Sequence, residues 1–216
     1  MSLQNMLMQL SEGMIVSVEI FLLTLLFSLP LGLVIAFGRM SKNPLLCGII
    51  KIYIAVMRGT PLMLQLIVVY FGPFYIAGIG LTPSYRFTAT IIAFSLNYAA
   101  YFAEIYRSGI QSMPVGQYEA AKVLGYSKGQ TFFKIILPQV IKRILPPVTN
   151  ETITLVKDTS LAFVLAHAEM FTLAKQIAAK ETSIMPLMIA GVFYYIFNLI
   201  VASAMERLEK TLNYYR

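Results

Sequence analysis

Charged residues are scarce in this chain. Asp, Glu, Lys and Arg make up 12% of its 216 residues, roughly half the share of about 25% in a soluble domain. With 58% hydrophobic residues and a mean hydropathy of +0.72, the chain cannot be an ordinary cytosolic enzyme, a disordered segment or a nucleic-acid binder. Its composition is that of an integral membrane protein. Cysteine occurs once, as Cys47, which leaves no intrachain disulfide and no multi-cysteine metal cluster. Met1–Gly13 contains neither lysine nor arginine, so the basic region of a signal peptide is missing. No Walker A motif and no arguable Ser/His/Asp arrangement occurs. No catalytic residue is expected, and the chain does not hydrolyse ATP itself.

What is present is a set of long apolar runs. A membrane helix needs about 20 mostly apolar residues. Five stretches are read as spans: about 14–38, 49–79, 87–106, 145–167 and 182–205. The fourth is the weakest, interrupted by Glu151, Lys157 and Asp158. Ahead of the first, Leu3, Met6, Leu7, Leu10 and Met14 recur at helical spacing. They form either a short interfacial helix or the start of the first span. Segments 39–51, 107–143 and 207–216 hold 12 basic residues, whereas the N-terminus and the 77–86 and 168–181 loops hold 3. Positive-inside counting puts the N-terminus outside and the C-terminus in the cytoplasm. The net charge of +7 is thereby explained by topology, and no nucleic-acid partner is needed.

The segment 108–143 is too long for a passive turn. Pro114 opens a helix over Val115–Leu124, Gly125 is placed to close it as a left-handed cap, and Ser127 caps a second helix that Pro138 ends near Leu137. Ala120, Ala121 and Gly125 have little bulk, so another protein's backbone can approach. Glu119-Ala120-Ala121, Gly125, Ile135, Leu137 and Pro138 match in type and spacing the EAA---G---------I-LP signature of bacterial ABC-importer permeases. Arg58-Gly59-Thr60-Pro61 with Gln65, Asn97 with Ala100-Tyr101 and Ala103-Glu104-Ile105, and Asn150-Glu151 with Lys157-Asp158-Thr159-Ser160-Leu161 extend the likeness. The chain resembles the polar-amino-acid branch of that family over nearly its whole length.

The resemblance implies a single permease domain over 1–216 with an all-α, polytopic fold of the type I ABC importer. Five transmembrane helices and a cytoplasmic coupling helix carrying Glu119, Ala120, Ala121 and Gly125 are expected. It implies two copies of an ABC ATP-binding subunit as partners, a second permease chain (a homodimer in the simplest case) and an extracytoplasmic amino-acid-binding protein. The setting is the lipid of the bacterial inner membrane. No cofactor is expected in this chain, since ATP and Mg would sit on the partner ATPase.

Ionisable groups at bilayer depth cost at least about 2.5–3.5 kcal/mol each on insertion scales and rarely lie there idle. Asn97, Tyr101 and Glu104 fall on one stripe of the third span, and Glu151, Thr154 and Asp158 on one stripe of the fourth. The two stripes either line a shared cavity or hydrogen-bond the helices together. Pro61 has no N–H and leaves the Met57 carbonyl without its helical partner, and broken membrane helices commonly place substrate at such groups. Arg58 beside the break either holds a carboxylate in a bidentate pair or neutralises Glu104 or Glu151. Gln65 lies about two turns on. Lys157 is expected to be the counter-ion of Asp158, and Arg107 either pairs with Glu104 or marks the cytoplasmic interface. Glu19 is placed in the outer interface. His167 and Glu169 are read as surface groups and not as metal ligands.

Glu104, Glu151 and Asp158 against Arg58 and Lys157 leave the interior one negative charge in excess. A cationic amino acid such as arginine, lysine or histidine would supply the missing partner. Glutamine or another polar amino acid is the alternative substrate. From other classes, a proton-coupled secondary transporter and an intramembrane enzyme using Glu104, Asp158 and His167 remain alternatives, and neither needs the cytoplasmic signature.

Overall fold

The computed structural model describes residues 2–80 and 82–212. Met1, Leu81 and 213–216, including the Arg216 counted above, lie outside the described residues. Every regular element among them is helical. The first, α1 (Leu3–Arg39), is continuous over 37 residues, about 55 Å at 1.5 Å per residue. Among the described residues, the stretch from Leu3 to Met14 is the start of this helix and not a separate interfacial one. Its first turns instead bury Met6 and Leu10 against Met170, Ala174 and Ile177 of α8 (Met170–Glu181). Glu19 is exposed on α1.

Along α1 the buried face is built from small residues: Gly13, Ser17, Thr24, Ser28, Gly32 and Ala36. Gly13 and Ser17 meet Met170 of α8, and beyond them α1 packs lengthwise on α4 (Pro83–Gln111), whose Ala89, Ala93, Ala99, Ala100 and Ala103 are also buried. A Cβ added at Gly32 would lie 2.9 Å from Phe102 Cβ and 3.1 Å from the Ala99 carbonyl oxygen. The two backbones therefore touch. Small residues are how membrane helices approach this closely, since lipid supplies no hydrophobic drive between them.

The second apolar run is two helices, α2 (Pro44–Gly59) and α3 (Leu62–Ala77), bent by 113° at Thr60–Pro61. Asn43 caps α2 through Leu45 N and Leu46 N, and Gly78 at φ 65° closes α3. After α4 come α5 (Val115–Val123), a short α6 (Lys128–Gln130), a π-helical turn (Thr131–Ile136), α7 (Leu137–Asp158) and a 3₁₀ turn (Thr159–Leu165). Here the sequence expectation needs correction: the second cytoplasmic helix does not end near Leu137. Pro138 is accommodated where the π-helical turn passes into α7, and the chain stays helical through it. The last helix is α9 (Met185–Leu212).

Alone, α1 and α9 are long and apolar enough to cross a membrane. Two more crossings result if α2–α3 and 128–165 with α8 each count as one bent span. The 29 residues of α4 reach about 43 Å, but this helix carries Asn97, Glu104 and Arg107 and lies among the others. The central core gathers Ile20, Phe21, Leu66, Phe94, Tyr98, Phe102 and Leu155.

His167 and Glu169 are not surface groups. His167 Nε2 lies 2.7 Å from Thr90 Oγ1, and the ring meets Phe87 edge-on. Glu169 is fully buried as the N-cap of α8, accepting from Phe171 N, Thr172 N, Thr172 Oγ1 and the Tyr194 hydroxyl. A carboxylate at a helix N-terminus satisfies donors that have no helical partner. Among the described residues no cluster of His, Cys, Asp and Glu is suited to a metal ion.

Candidate functional site

Between α2, α4 and α7 lies a cavity of about 570 Å³, lined among others by Arg58, Tyr101, Glu104, Arg107, Arg143 and Glu151. The structure thus brings together four of the nine residues expected to bind substrate. Arg58 stacks its guanidinium carbon 5.1 Å above the centre of the Tyr101 ring, a cation–π arrangement that fixes an otherwise mobile arm. Glu104 is held by Arg107, whose Nη2 lies 2.6 Å and Nε 3.1 Å from the carboxylate, with Arg39 Nε at 3.9 Å. Its charge is met within the chain. Glu151, by contrast, is half-buried on the cavity wall with no hydrogen bond or ion pair to another described residue.

Asp158, two turns beyond Glu151 on α7, accepts a 2.7 Å hydrogen bond from the buried Tyr98 hydroxyl. The expected Lys157–Asp158 ion pair does not form. Adjacent residues on a helix point about 100° apart, and Lys157 is exposed on another face. Thr154, between the two acids, is also exposed, and its hydroxyl donates to the Asn150 carbonyl of its own helix.

The Met57 carbonyl, expected to be open, is occupied. Gln65 Nε2 donates to it at 2.9 Å and Asn97 Nδ2 at 3.0 Å. Both of its lone pairs are engaged, so it is closed to a substrate ammonium in this conformation. Gln65 and Asn97 also join each other at 3.0 Å, and both face the helix break.

The turn after α5 has the expected geometry in detail. Gly125 stands at φ 78°. Its N–H donates to the Lys122 carbonyl, and Tyr126 N donates to the Ala121 carbonyl. These are the two bonds of a Schellman cap. Ser127 and Gln130 then form a capping box, so the turn between the two helices is fixed at both ends. Glu119 and Ala120 are exposed, whereas Ala121 is buried within the chain and not available to a partner. Apolar Val115, Val123 and Leu124 are 69%, 88% and 73% exposed. Apolar side chains exposed together in this way mark a contact surface. Two further tethers are invisible from spacing: the reciprocal amide pair of Gln117 and Gln139, at 2.9 and 2.8 Å, binds α5 to α7, and Arg143 of α7 donates to Ser112 at the end of α4.

Comparison with known proteins fits this arrangement. A family model described as a binding-protein-dependent transport system inner membrane component matches residues 28–214. The L-cystine transport system permease protein TcyB of Bacillus subtilis (strain 168) is 36% identical over 208 residues, covering 95% of this chain and 87% of the relative. The arginine transport system permease protein ArtQ of the same organism is 37% identical over 202 residues, with 93% and 91% covered. A solved structure described as an amino acid ABC transporter with histidines superposes with a TM-score of 0.87 at 31% identity, covering 98% of this chain and 99% of that one.

Proposed function

The chain belongs to the inner-membrane components of binding-protein-dependent transport systems, and from that premise we propose that it is an amino-acid ABC importer permease whose cargo is a cationic amino acid. It is a multi-pass inner-membrane subunit, and ATP hydrolysis resides in a separate subunit. The observation that supports a cationic cargo is the pairing pattern of the interior. Glu104 is matched by Arg107, and Arg143 is held on Ser112 at the cytoplasmic mouth. Two acids on one face of α7, Glu151 and Asp158, have no ionic partner within 4 Å among the described residues, and neither has Arg58. The acid count matches the sequence expectation, but the acids differ: Asp158 takes the place assigned to Glu104.

An α-carboxylate would pair with Arg58, and the α-ammonium and a cationic side chain with Glu151 and Asp158. In a low-dielectric interior each such group is costly unless paired, and of the two acids Glu151 lines the cavity while Asp158 lies two turns further along α7. A neutral substrate such as glutamine leaves one carboxylate unmatched. Labelled arginine uptake by the assembled system, challenged with unlabelled amino acids, tests the reading. Lysine should compete strongly and glutamine weakly, and the reverse order would refute a cationic cargo.

Two copies of the chain, two ATPases holding ATP and Mg, and an outer binding protein complete the proposed assembly. The exposed Val115, Val123 and Leu124 on and beside α5 support docking of the ATPase. A closing motion there would travel through the capped Gly125 turn and the unbroken helix into α7, which carries both acids. The distribution of basic residues supports an orientation with Cys47 in the cytoplasm and Ser2 and Thr82 outside. A membrane-impermeant thiol reagent on intact cells should label Ser2→Cys and Thr82→Cys but spare Cys47. The opposite pattern would invert the proposed orientation.

A further inference from the structure

Gln65 and Asn97 lie close to the cavity but spend their hydrogen-bonding groups elsewhere. The two hydrogens of Gln65 Nε2 are shared among the Met57 carbonyl, the Thr60 carbonyl at 3.1 Å and Thr60 Oγ1 at 2.8 Å. Asn97 Nδ2 donates to Met57 and to Gln65 Oε1. A backbone carbonyl can only accept, so both amide NH₂ groups must face the break and their orientation is dictated. These carbonyls are ones the α2 helix leaves without partners because Pro61 has no N–H and the chain turns by 113°. Both side chains are buried, with 9% and 5% exposure. One turn earlier, the Tyr53 hydroxyl donates to the Leu96 carbonyl at 2.5 Å. So α2 is tied to α4 at two successive levels.

The residues that follow these ties in each helix are the ones the cavity uses. Arg58 comes directly after Met57, and Tyr101 lies one turn after Asn97. We infer that Gln65 and Asn97 are positioning residues: they lock the break between α2 and α3 so that Arg58 is presented above Tyr101, and they make no contact with the substrate. This inference rests on the amino-acid permease reading for its transport consequence, though the lock itself does not.

The test uses Gln65→Met and Asn97→Leu, which keep volume and remove all hydrogen bonding. One change lies on each side of the lock, so failure of one variant to assemble leaves the other. Spin labels at the exposed positions 51 on α2 and 75 on α3, in a Cys47→Ser background of the assembled complex, report the break. The distance distribution should broaden in both variants. The arginine concentration for half-maximal uptake should rise about tenfold in each single variant, as expected for losing a buried hydrogen bond. The double variant should be little worse than either, because one lock is lost only once. The preference for arginine over lysine should stay unchanged.

A distribution as narrow as the parent's in both variants would overturn the lock. A broadened one with unchanged half-saturation would overturn the positioning role, and an altered arginine-to-lysine preference would show direct substrate contact instead. If the parent moves no amino acid at all, the functional reading fails while the distance measurement still decides the lock.

Discussion

Converting Glu151 and Asp158 to their amides is expected to abolish arginine uptake while leaving the complex assembled. Truncating one side of a desolvated charge pair costs about 2–5 kcal/mol, so each single change should weaken arginine transport by about 30-fold or more. The pair together should bring it below detection. Glu104→Gln should do less, because its carboxylate is committed to Arg107 at 2.6 Å and Arg107 also reaches the side chain of Gln111. A relative gain in competition by glutamine is expected in the Glu151→Gln variant, since the unmatched carboxylate is gone. Uptake assays with labelled arginine in the three single variants and the double variant decide the matter. Full arginine transport in both Glu151→Gln and Asp158→Asn would end the charge-pairing account.

Gly125→Val is expected to uncouple transport without disturbing the spans. The position has φ 78°, and nothing lies within 4 Å of an added Cβ, so the penalty is backbone strain and not collision. A left-handed conformation costs an L-residue about 1–2 kcal/mol, and a β-branched one fares worst. The turn would relax by losing the Gly125 and Tyr126 bonds to Lys122 and Ala121, leaving the Gln117–Gln139 amide pair to hold α5 against α7 without the fixed turn between them. Substrate-stimulated ATP hydrolysis by the reconstituted complex should fall to the basal rate. Gly125→Asn, a residue that tolerates this region, should retain most of the coupling. Equal loss in both variants, or in neither, would argue against a conformational role for the turn.

Local chemistry made the cytoplasmic turn legible. Gly125 and Ser127 act within a few residues of their own positions, so the left-handed cap and the Ser127 N-cap follow from spacing, while the return bond from Gln130 came only with the structure. The Glu104–Arg107 pair was readable for the same reason, three residues apart on one helix. Long-range partners left no such mark: the Tyr98 hydroxyl reaches Asp158 across 60 residues, and Asn97 reaches Met57 across 40. Proline predicts a freed carbonyl at Met57, but nothing in the chain order says which amides fill it. His167 and Glu169 misled because two polar residues after an apolar run read as surface. Their burial depends on α1 and α4 passing beside them and on α9 supplying Tyr194. The continuous α1 likewise depends on α8 covering Met6 and Leu10.

The central claim is that movement of a cationic amino acid through this chain is driven by ATP hydrolysis on a partner subunit and transmitted at Gly125. Its most direct test is uptake of labelled arginine into proteoliposomes holding the complex, with the binding protein outside and ATP and Mg sealed inside. The account expects accumulation that stops when the enclosed ATP is replaced by a non-hydrolysable analogue and persists when the proton gradient is collapsed. Accumulation that survives without ATP and vanishes with the gradient would contradict it.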